Sequence, residues 1–459
     1  MIRTARYTVV MLGLFVWLVS LLPAQKFHPS DPMIVDNDRL IDVKTEPEEL
    51  ELSDLFDRFG HIFTPKGDPN FTEAENVNSL DEVPDSSWYT NRHAKSRMTV
   101  EALARGANFD GPPSPEGDWM VFRGKSQGVT PGFWIETEEG VRFVIKFDPV
   151  AVPELATAAE TIASKIFYAI GYNVPQNYIV HVDPARFKIK ADTMVEDSFG
   201  DMVRLTDFGL RRMLSGVPRL PDGTVRATAS RFIHGSPLGP FRYDGTRTDD
   251  PNDVIPHENR RELRGLRLFA AWTNHDDTRA QNTHNSWVEE NGRYFVRHYL
   301  MDFGSTFGSG SVHIQLAYLG FNFSIPFEAM KYNAAGMGVR VPTFRKVTWP
   351  EFPKYQAVGR WESEWFNPEE WKNDYPNPAF VRMTARDAFW AAKILMKFTP
   401  EELMAIVKTG QYTEAHNTSY FHKVLVERQQ KCGKWGIELL NPLDEFRVEG
   451  EELPVSYTH

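Results

Sequence analysis

The chain is almost without cysteine. Cys432 stands alone among 459 residues, so no intramolecular disulfide can form and the fold must be held by its core. It also lacks any long basic run, and its net charge of −11 argues against a partner gripped through a phosphate backbone, so no nucleic acid is expected. Internal repeats and low-complexity tracts are missing, which excludes solenoids and fibrous arrays. So is an apolar run of full membrane-spanning length. The nearest thing runs from Val9 to Leu22, interrupted by Gly13 and Ser20, with Arg3 and Arg6 before it and Pro23 and Ala24 after. It is short against the roughly 20 residues of a span and has the basic, apolar, small-residue order of a secretion signal. Residues 1–24 are therefore expected to be a signal peptide or an N-terminal anchor. The mature chain is expected outside the cytoplasm: periplasmic, secreted, or held at a membrane only through residues 1–22.

What is present is globular material, 41% hydrophobic and 25% charged, in a chain long enough for more than one core. Residues 25–111 are polar and broken by Pro, Asp and Asn. They read as an extension packed on the main domain or partly mobile, with weak periodicity around Leu50 to Phe63 and an anchor at Ser86-Ser87-Trp88-Tyr89. Strand signals follow in Trp119 to Arg123, Phe133 to Thr137 and Val141 to Phe147, the last two joined by the turn Glu138-Glu139-Gly140. Leu155, Ala159, Ile162, Ile166 and Ile170 then fall on one helical face, and Gly171 and Pro175 end the helix. Asn177 to Val182 and Thr224 to Ile233 read as strands. After residue 239 the pattern turns helical: Arg261 to Trp272, Met383 to Phe398, a capping box at Thr399-Pro400-Glu401-Glu402 opening a helix through Val407, and Thr418 to Gln430. The expected fold class is α+β: a strand-rich lobe over residues 112–238, then a helical lobe over 239–459.

The stretch from Trp272 to Gly308 carries the chemistry. Asp277 is followed by Asn282 in the order D-x-x-x-x-N. A polar turn, Glu289-Glu290-Asn291-Gly292, separates two strand-like runs, and the second run ends in Asp302-Phe303-Gly304. Kinase-type phosphoryl transfer uses this order to place one catalytic carboxylate and two metal ligands. Asp302 and Asn282 offer the hard oxygens that suit Mg²⁺ or Mn²⁺. Asp277 is the candidate base for an attacking hydroxyl, and Arg279 a candidate to neutralise phosphate charge.

These residues resemble the protein-kinase-like superfamily, most of all its atypical branches: HipA-type, CotH-type and phosphoinositide kinases and the exported secretory-pathway kinases. His275-Asp276-Asp277 stands where the typical family has His-Arg-Asp, Arg279 stands where it has Lys or His, and no Ala-Pro-Glu follows Asp302. Those departures fit the atypical branches better than conventional protein kinases. The resemblance implies a two-lobed fold and ATP with a divalent metal as cofactors. It implies that Lys146, in Phe143-Val144-Ile145-Lys146, binds phosphate and pairs with Glu160, with Glu154 as the competing partner. The helix carrying Glu160 ends in Gly171-x-x-Val174-Pro175, as in HipA-type kinases. Lys125, Gly128 and Gly132, in the glycine loop between strands, would cradle phosphates. Arg231 to Gly235 would join the lobes beside the purine.

Other readings compete. Thr206-Asp207-Phe208-Gly209 also spells the Asp-Phe-Gly triplet, but it precedes the catalytic stretch, and Asp207 is expected at a helix cap. His275, His284 and His298, with Asp276, Asp277 and Asp302, allow a metal-dependent hydrolase, though no H-x-H or H-x-x-x-H spacing supports one. Asp276 competes with Asp277 as base. Trp361, Trp365 and Trp371 read as core and not as a sugar platform. The expectation is an exported phosphotransferase using ATP and Mg²⁺ on an unidentified protein, sugar or lipid acceptor. The alternative is a catalytically silent pseudokinase acting as a binding or scaffolding module of the envelope.

Overall fold

Aromatic and β-branched residues dominate three early strands, β1 (Trp119–Gly124), β2 (Gly132–Glu136) and β3 (Arg142–Phe147), and burial alternates along them. Val121, Phe133, Ile135, Phe143, Ile145 and Phe147 are buried by this alternation and form one apolar cluster. A computed structural model of the chain describes residues 37–64, 67–68, 70–124, 132–196, 201–325, 327, 330, 342–347, 355–441, 443–444 and 456–457. The expected signal segment, Lys125 and Gly128 lie outside the described residues. Among those described, no helix is long and apolar enough to cross a membrane.

The strands continue with β4 (Asn177–Val182), β5 (Phe187–Ile189), β6 (Met194–Glu196), β7 (Met202–Arg204) and β8 (Val225–Arg231). Six of them form one sheet in the order β4-β8-β3-β2-β1-β5, while β6 and β7 pair separately. A second sheet is built from β9 (Ser236–Pro237), β10 (Thr283–Glu290) and β11 (Arg293–Leu300), in the order β11-β10-β9. The helices are α1 (Asp54–Phe63), α2 (Val100–Arg105), α3 (Leu155–Ile170), α4 (Asp207–Ser215), α5 (Arg261–Thr273), α6 (Pro378–Val381), α7 (Ala385–Leu395), α8 (Pro400–Lys408) and α9 (Ala415–Glu438). The protein is thus α+β, a strand-rich region followed by a helical C-terminal part. α3 belongs in sequence to the first, but Ile162, Ile166, Phe167 and Ile170 pack in the large apolar cluster of α5, α7, α8 and α9.

Several boundaries differ from the sequence reading, each for a packing reason. The last helix starts at Ala415 and runs to Glu438, well past Gln430. Gly433 and Gly436 do not stop it, because they are where α7 and its end come closest. A Cβ on Gly433 would lie 2.2 Å from Met396 Sδ, and one on Gly436 2.7 Å from Ala392 Cβ. α7 is shorter than Met383 to Phe398, because Thr384 and Asp387 form a capping box at its start. Thr206, not Asp207, caps α4; its hydroxyl accepts from Gly209 N, and Asp207 is the first helical residue.

The described part of the extension packs closely. Val43 N donates to Tyr294 O at 2.9 Å and Leu50 N to Leu238 O at 3.0 Å. The Trp88 ring stacks on His298 at 3.5 Å, and Tyr89 Oη donates to Ile170 O at 2.7 Å. Trp361 and Trp371 are buried in the helical core.

Candidate active site

The alternation that buries Ile145 and Phe147 turns Lys146 toward the other face of the sheet, onto α3. Lys146 Nζ lies 3.2 Å from Glu160 Oε2 and 2.8 Å from Asp302 Oδ1. The link from β3 to α3 is fixed by Asp148, whose Oδ1 accepts from Ala156 N and Thr157 N, both at 2.9 Å, and so caps the helix from outside it. Glu160 is buried, and its second oxygen accepts from Asn177 Nδ2 at 3.1 Å. The Asn177 amide oxygen in turn accepts from the Ser230 hydroxyl. The carboxylate is therefore satisfied on both oxygens, as a buried charge must be. Burial works against the Lys146 ammonium, but the carboxylates of Asp302 and Glu160 outweigh it and hold its pKa above the usual lysine range.

Asp302 comes from the far lobe, at the open end of the β10–β11 hairpin. Thr283 pairs with Leu300, and Met301 N donates to Asn282 O at 3.0 Å. The ladder thus sets Asn282 against the residue that precedes Asp302. Asp302 itself has φ 59°, a left-handed turn. Phe303 follows it into the core and stacks on Phe167 of α3 at 5.0 Å. A Cβ on Gly304 would lie 3.0 Å from Ser311 Oγ and 3.5 Å from Glu160 Oε2, so a side chain here fits only if the Ser311 hydroxyl gives way.

The loop before the hairpin begins where α5 ends. Asn274 adopts φ 50° at the helix C-cap and accepts from Trp371 Nε1 at 2.9 Å, while its own amide donates to Gln315 Oε1 at 2.6 Å. Gln315 then donates to Asp276. Asp276 is buried, and burial pushes its carboxyl well above the usual range. Asp277, with 21% of its side chain exposed, is the more open of the two acids. Burial raises its pKa to about 6, Arg279 and Asn282 pull it down, and Asp302 and Asp374 push it up. Arg279 Nε lies 2.8 Å from Asp277 Oδ1, and Arg279 Nη1 2.9 Å from Asp54 Oδ1. Asn282 Nδ2 donates to Asp277 O at 2.7 Å, which leaves Oδ1 as the acceptor on that side chain.

Lys146, Glu160 and Asp302 are therefore in direct contact, with Asp277, Arg279 and Asn282 linked to one another at the hairpin end. Asp302 and Asn282 Oδ1 are a donor set that fits a hard cation such as Mg²⁺ or Mn²⁺. Glu154 is not in the cluster; its carboxylate accepts from Thr413 N at 3.2 Å. Gly132 opens β2 opposite Lys146, and a Cβ there would meet Ile145 O at 2.2 Å, so strand packing alone requires glycine. Arg279 is taken up by two carboxylates. The histidines disperse: His298 lies between Trp88 and Asn285, and His275 packs on Phe167 and Phe303. Among the described residues no three His, Cys, Asp or Glu side chains group as a metal cluster. The segment Arg231 to Gly235 does run between the two sheets, with Phe232 packed on Trp134 at 5.1 Å and His234 O accepting from Ser286 Oγ.

Four residues of this site gave no sequence signal: Asn177, Gln315, Asp374 and Asp54. Each acts through a partner distant in the chain, and none stands in a spaced motif.

No protein-family model and no curated protein matches the chain. Among solved structures it is similar to the Helicobacter pylori proinflammatory kinase CtkA, at 12% identity over 69% of this chain and 95% of that one, with a TM-score of 0.36. It is similar also to the Golgi casein kinase, at 9% identity over 75% of this chain and 76% of that one, with a TM-score of 0.33. A structure of the Golgi casein kinase with Mn/ADP bound gives 9% identity, 74% and 75% coverage, and a TM-score of 0.33. At this distance the function rests on the side chains of the site.

Proposed function

We propose that the chain is an exported phosphotransferase that moves the γ-phosphate of ATP to a hydroxyl acceptor with Mg²⁺ or Mn²⁺. The observation that carries this reading is the position of Lys146, kept charged between Glu160 and Asp302 while Asp277, with its raised pKa, stands at the same hairpin end as Asn282. Lys146 holds phosphate oxygens, and Glu160, locked by Asn177, keeps the ammonium in place. Asp302 and Asn282 would hold the cation, which would supply positive charge to the phosphates. The acceptor oxygen forms a bond to the γ-phosphorus as the bond to the β-γ bridging oxygen breaks, and ADP leaves with that electron pair. Asp277 takes the acceptor's proton, with Arg279 aligning its carboxylate. The acceptor is a protein, sugar or lipid hydroxyl.

The second reading, a silent scaffold of the envelope, has its own observation. Asp302 is held by Lys146 at 2.8 Å, and a cation must compete for that carboxylate. Calorimetry with ATP and each divalent metal separates the two readings. Metal-dependent binding that Asp302→Asn abolishes, with labelled phosphate transferred to a protein or lipid extract or to the chain itself, supports the enzyme. Wild-type protein that binds no nucleotide with any metal overturns it.

A further inference from the structure

α1 is amphipathic in the unexpected sense. Its apolar residues Leu55, Phe56, Phe59 and Phe63 face solvent, with Phe56 80% exposed, and only Ile62 of its described apolar side chains is buried. A helix held by apolar burial would show the reverse. Its polar face is what docks, and it docks on the loop that carries Asp277. Asp54 Oδ1 lies 2.9 Å from Arg279 Nη1, and Arg58 Nη2 lies 2.6 Å from Asp374 Oδ2. One turn on, Asp57 accepts from Tyr375 Oη and lies 3.2 Å from His61 Nε2. The groups that α1 grips are themselves tied to the loop. Arg279 Nε reaches Asp277 Oδ1 at 2.8 Å, Asp374 N donates to Asp276 O at 2.9 Å, and Asn377 Nδ2 donates to Thr278 O at 3.2 Å.

We propose that α1 is a clamp on the catalytic loop, in which Asp54 and Arg58 are positioning residues that fix Arg279 and Asp374 and, through them, the carboxylate of Asp277. The helix lies in the N-terminal extension, more than two hundred residues before the loop it holds. Arg279 has a long, rotamer-rich side chain. With Asp54 present its two ends are pinned by two carboxylates; without it the guanidinium is held at one end and the loop gains freedom. The face that docks is ionic, so the clamp weakens with salt. The role given to Asp277 rests on the phosphotransferase reading; the clamp itself does not.

The test is hydrogen exchange of the full chain in the loop 274–282, where Arg279 N donates to Asp277 O and Asn282 N to Arg279 O. Asp54→Asn with Arg58→Gln is compared with wild type, with Asp54→Glu as the conservative rescue, and with Phe56→Ser on the outer face of the same helix as control. Exchange in the loop is expected to rise several-fold in the double variant and to stay at the wild-type rate in Phe56→Ser. Transfer kinetics should show kcat down about tenfold to a hundredfold, as misplacement of a reacting group costs, with KM for nucleotide unchanged and partial recovery in Asp54→Glu. A loop that exchanges at the wild-type rate in the double variant overturns the clamp. So does a loop loosened equally by Phe56→Ser, since the effect would then belong to the helix and not to its ionic face. Loosening in the double variant alone, in a protein that transfers no phosphate even as wild type, supports the clamp and overturns the enzyme reading instead.

Discussion

Replacing Lys146 by methionine isolates the buried charge that the site is built around. The side chain of Glu160 is 2% exposed and that of Lys146 13%, so solvent screens the pair little. At 3.2 Å and an effective dielectric of about 20, the attraction is on the order of 5 kcal/mol, against a desolvation cost of several kcal/mol for each ion. Lys146→Met removes the attraction and leaves the cost. Glu160 would keep Asn177 Nδ2 as a donor but lose its counter-ion, so the expected loss of stability is about 3–5 kcal/mol at pH 8. Glu160 can escape by binding a proton. Its folded pKa then rises above its unfolded value, so the protonated form supports the fold at low pH and that support disappears as pH rises through the folded pKa. The deficit of Lys146→Met should therefore be small near pH 4.5 and grow toward pH 8. Adding Glu160→Gln should restore most of the loss, because Asn177 can still donate to the new amide oxygen. Urea unfolding of the two single variants and the double variant, at both pH values and followed by a probe in the six-stranded sheet, gives the cycle. A Lys146→Met deficit that does not change with pH, or a double variant as unstable as the sum of the singles, would refute the reasoning.

Other expectations follow from the same geometry. Asp277→Asn should bind ATP with the metal nearly as wild type does and lose roughly 10²–10⁴-fold in transfer, because a base acts in the transition state and is not needed to hold nucleotide; calorimetry and single-turnover transfer check it. The rate of transfer should rise with pH through about 6 and level off above it, since burial holds the Asp277 carboxyl there and only the ionised form accepts a proton; a limb near 4 would show that the carboxyl is not perturbed. Export predicts a mature chain starting near Gln25, or one still tethered by residues 1–22, and N-terminal sequencing from the native host decides it; full-length chain in soluble cytosol would end the idea. Gly436→Val should cost about 1–3 kcal/mol by urea unfolding, because its Cβ would lie 2.7 Å from Ala392 Cβ and 2.8 Å from Ala388 O.

Short-range rules made much of the fold legible. The aromatic and β-branched run Phe143-Val144-Ile145-Lys146-Phe147 was legible as a strand, and Thr399 with Glu402 gave a helix start that holds to the residue. The D-x-x-x-x-N, hairpin and Asp-Phe-Gly order was enough to bring Asp277, Asn282 and Asp302 to one end of β10 and β11, because a two-residue register is fixed once the turn is known. What stayed hidden depends on contacts between distant parts of the chain. Nothing local marks Gln315 as the donor to Asp276 or Asn177 as the donor to Glu160. The last helix was read only as far as Gln430, because the close neighbours of Gly433 and Gly436 on α7 cannot be seen from α9 alone. The extension was the least legible of all. Its polar composition left open whether it packs on the main domain or is partly mobile, and that same composition is what lets α1 dock by ion pairs.

Two packed clusters meet at the site. Glu160 sits on α3, and α3 contributes to the apolar cluster of α5, α7, α8 and α9; Phe303, beside Asp302, is packed on the same helix. Glu160 is tied to the six-stranded sheet as well, because the Asn177 that donates to it opens β4 and the Ser230 that donates to Asn177 lies on β8. Lys146 lies on β3 of that sheet, between Ile145 and Phe147 of the other cluster. Asp148 joins the end of β3 to α3 beside Arg226, whose guanidinium donates to the Gly410 and Gln411 carbonyls of the helical part. Lys146, Glu160 and Asn177 are thus fixed relative to one another by the sheet and the helix laid on it. Asp302 reaches them from the end of the β10–β11 hairpin of the second sheet, so its contact with Lys146 is the one that joins the two sheets across the site.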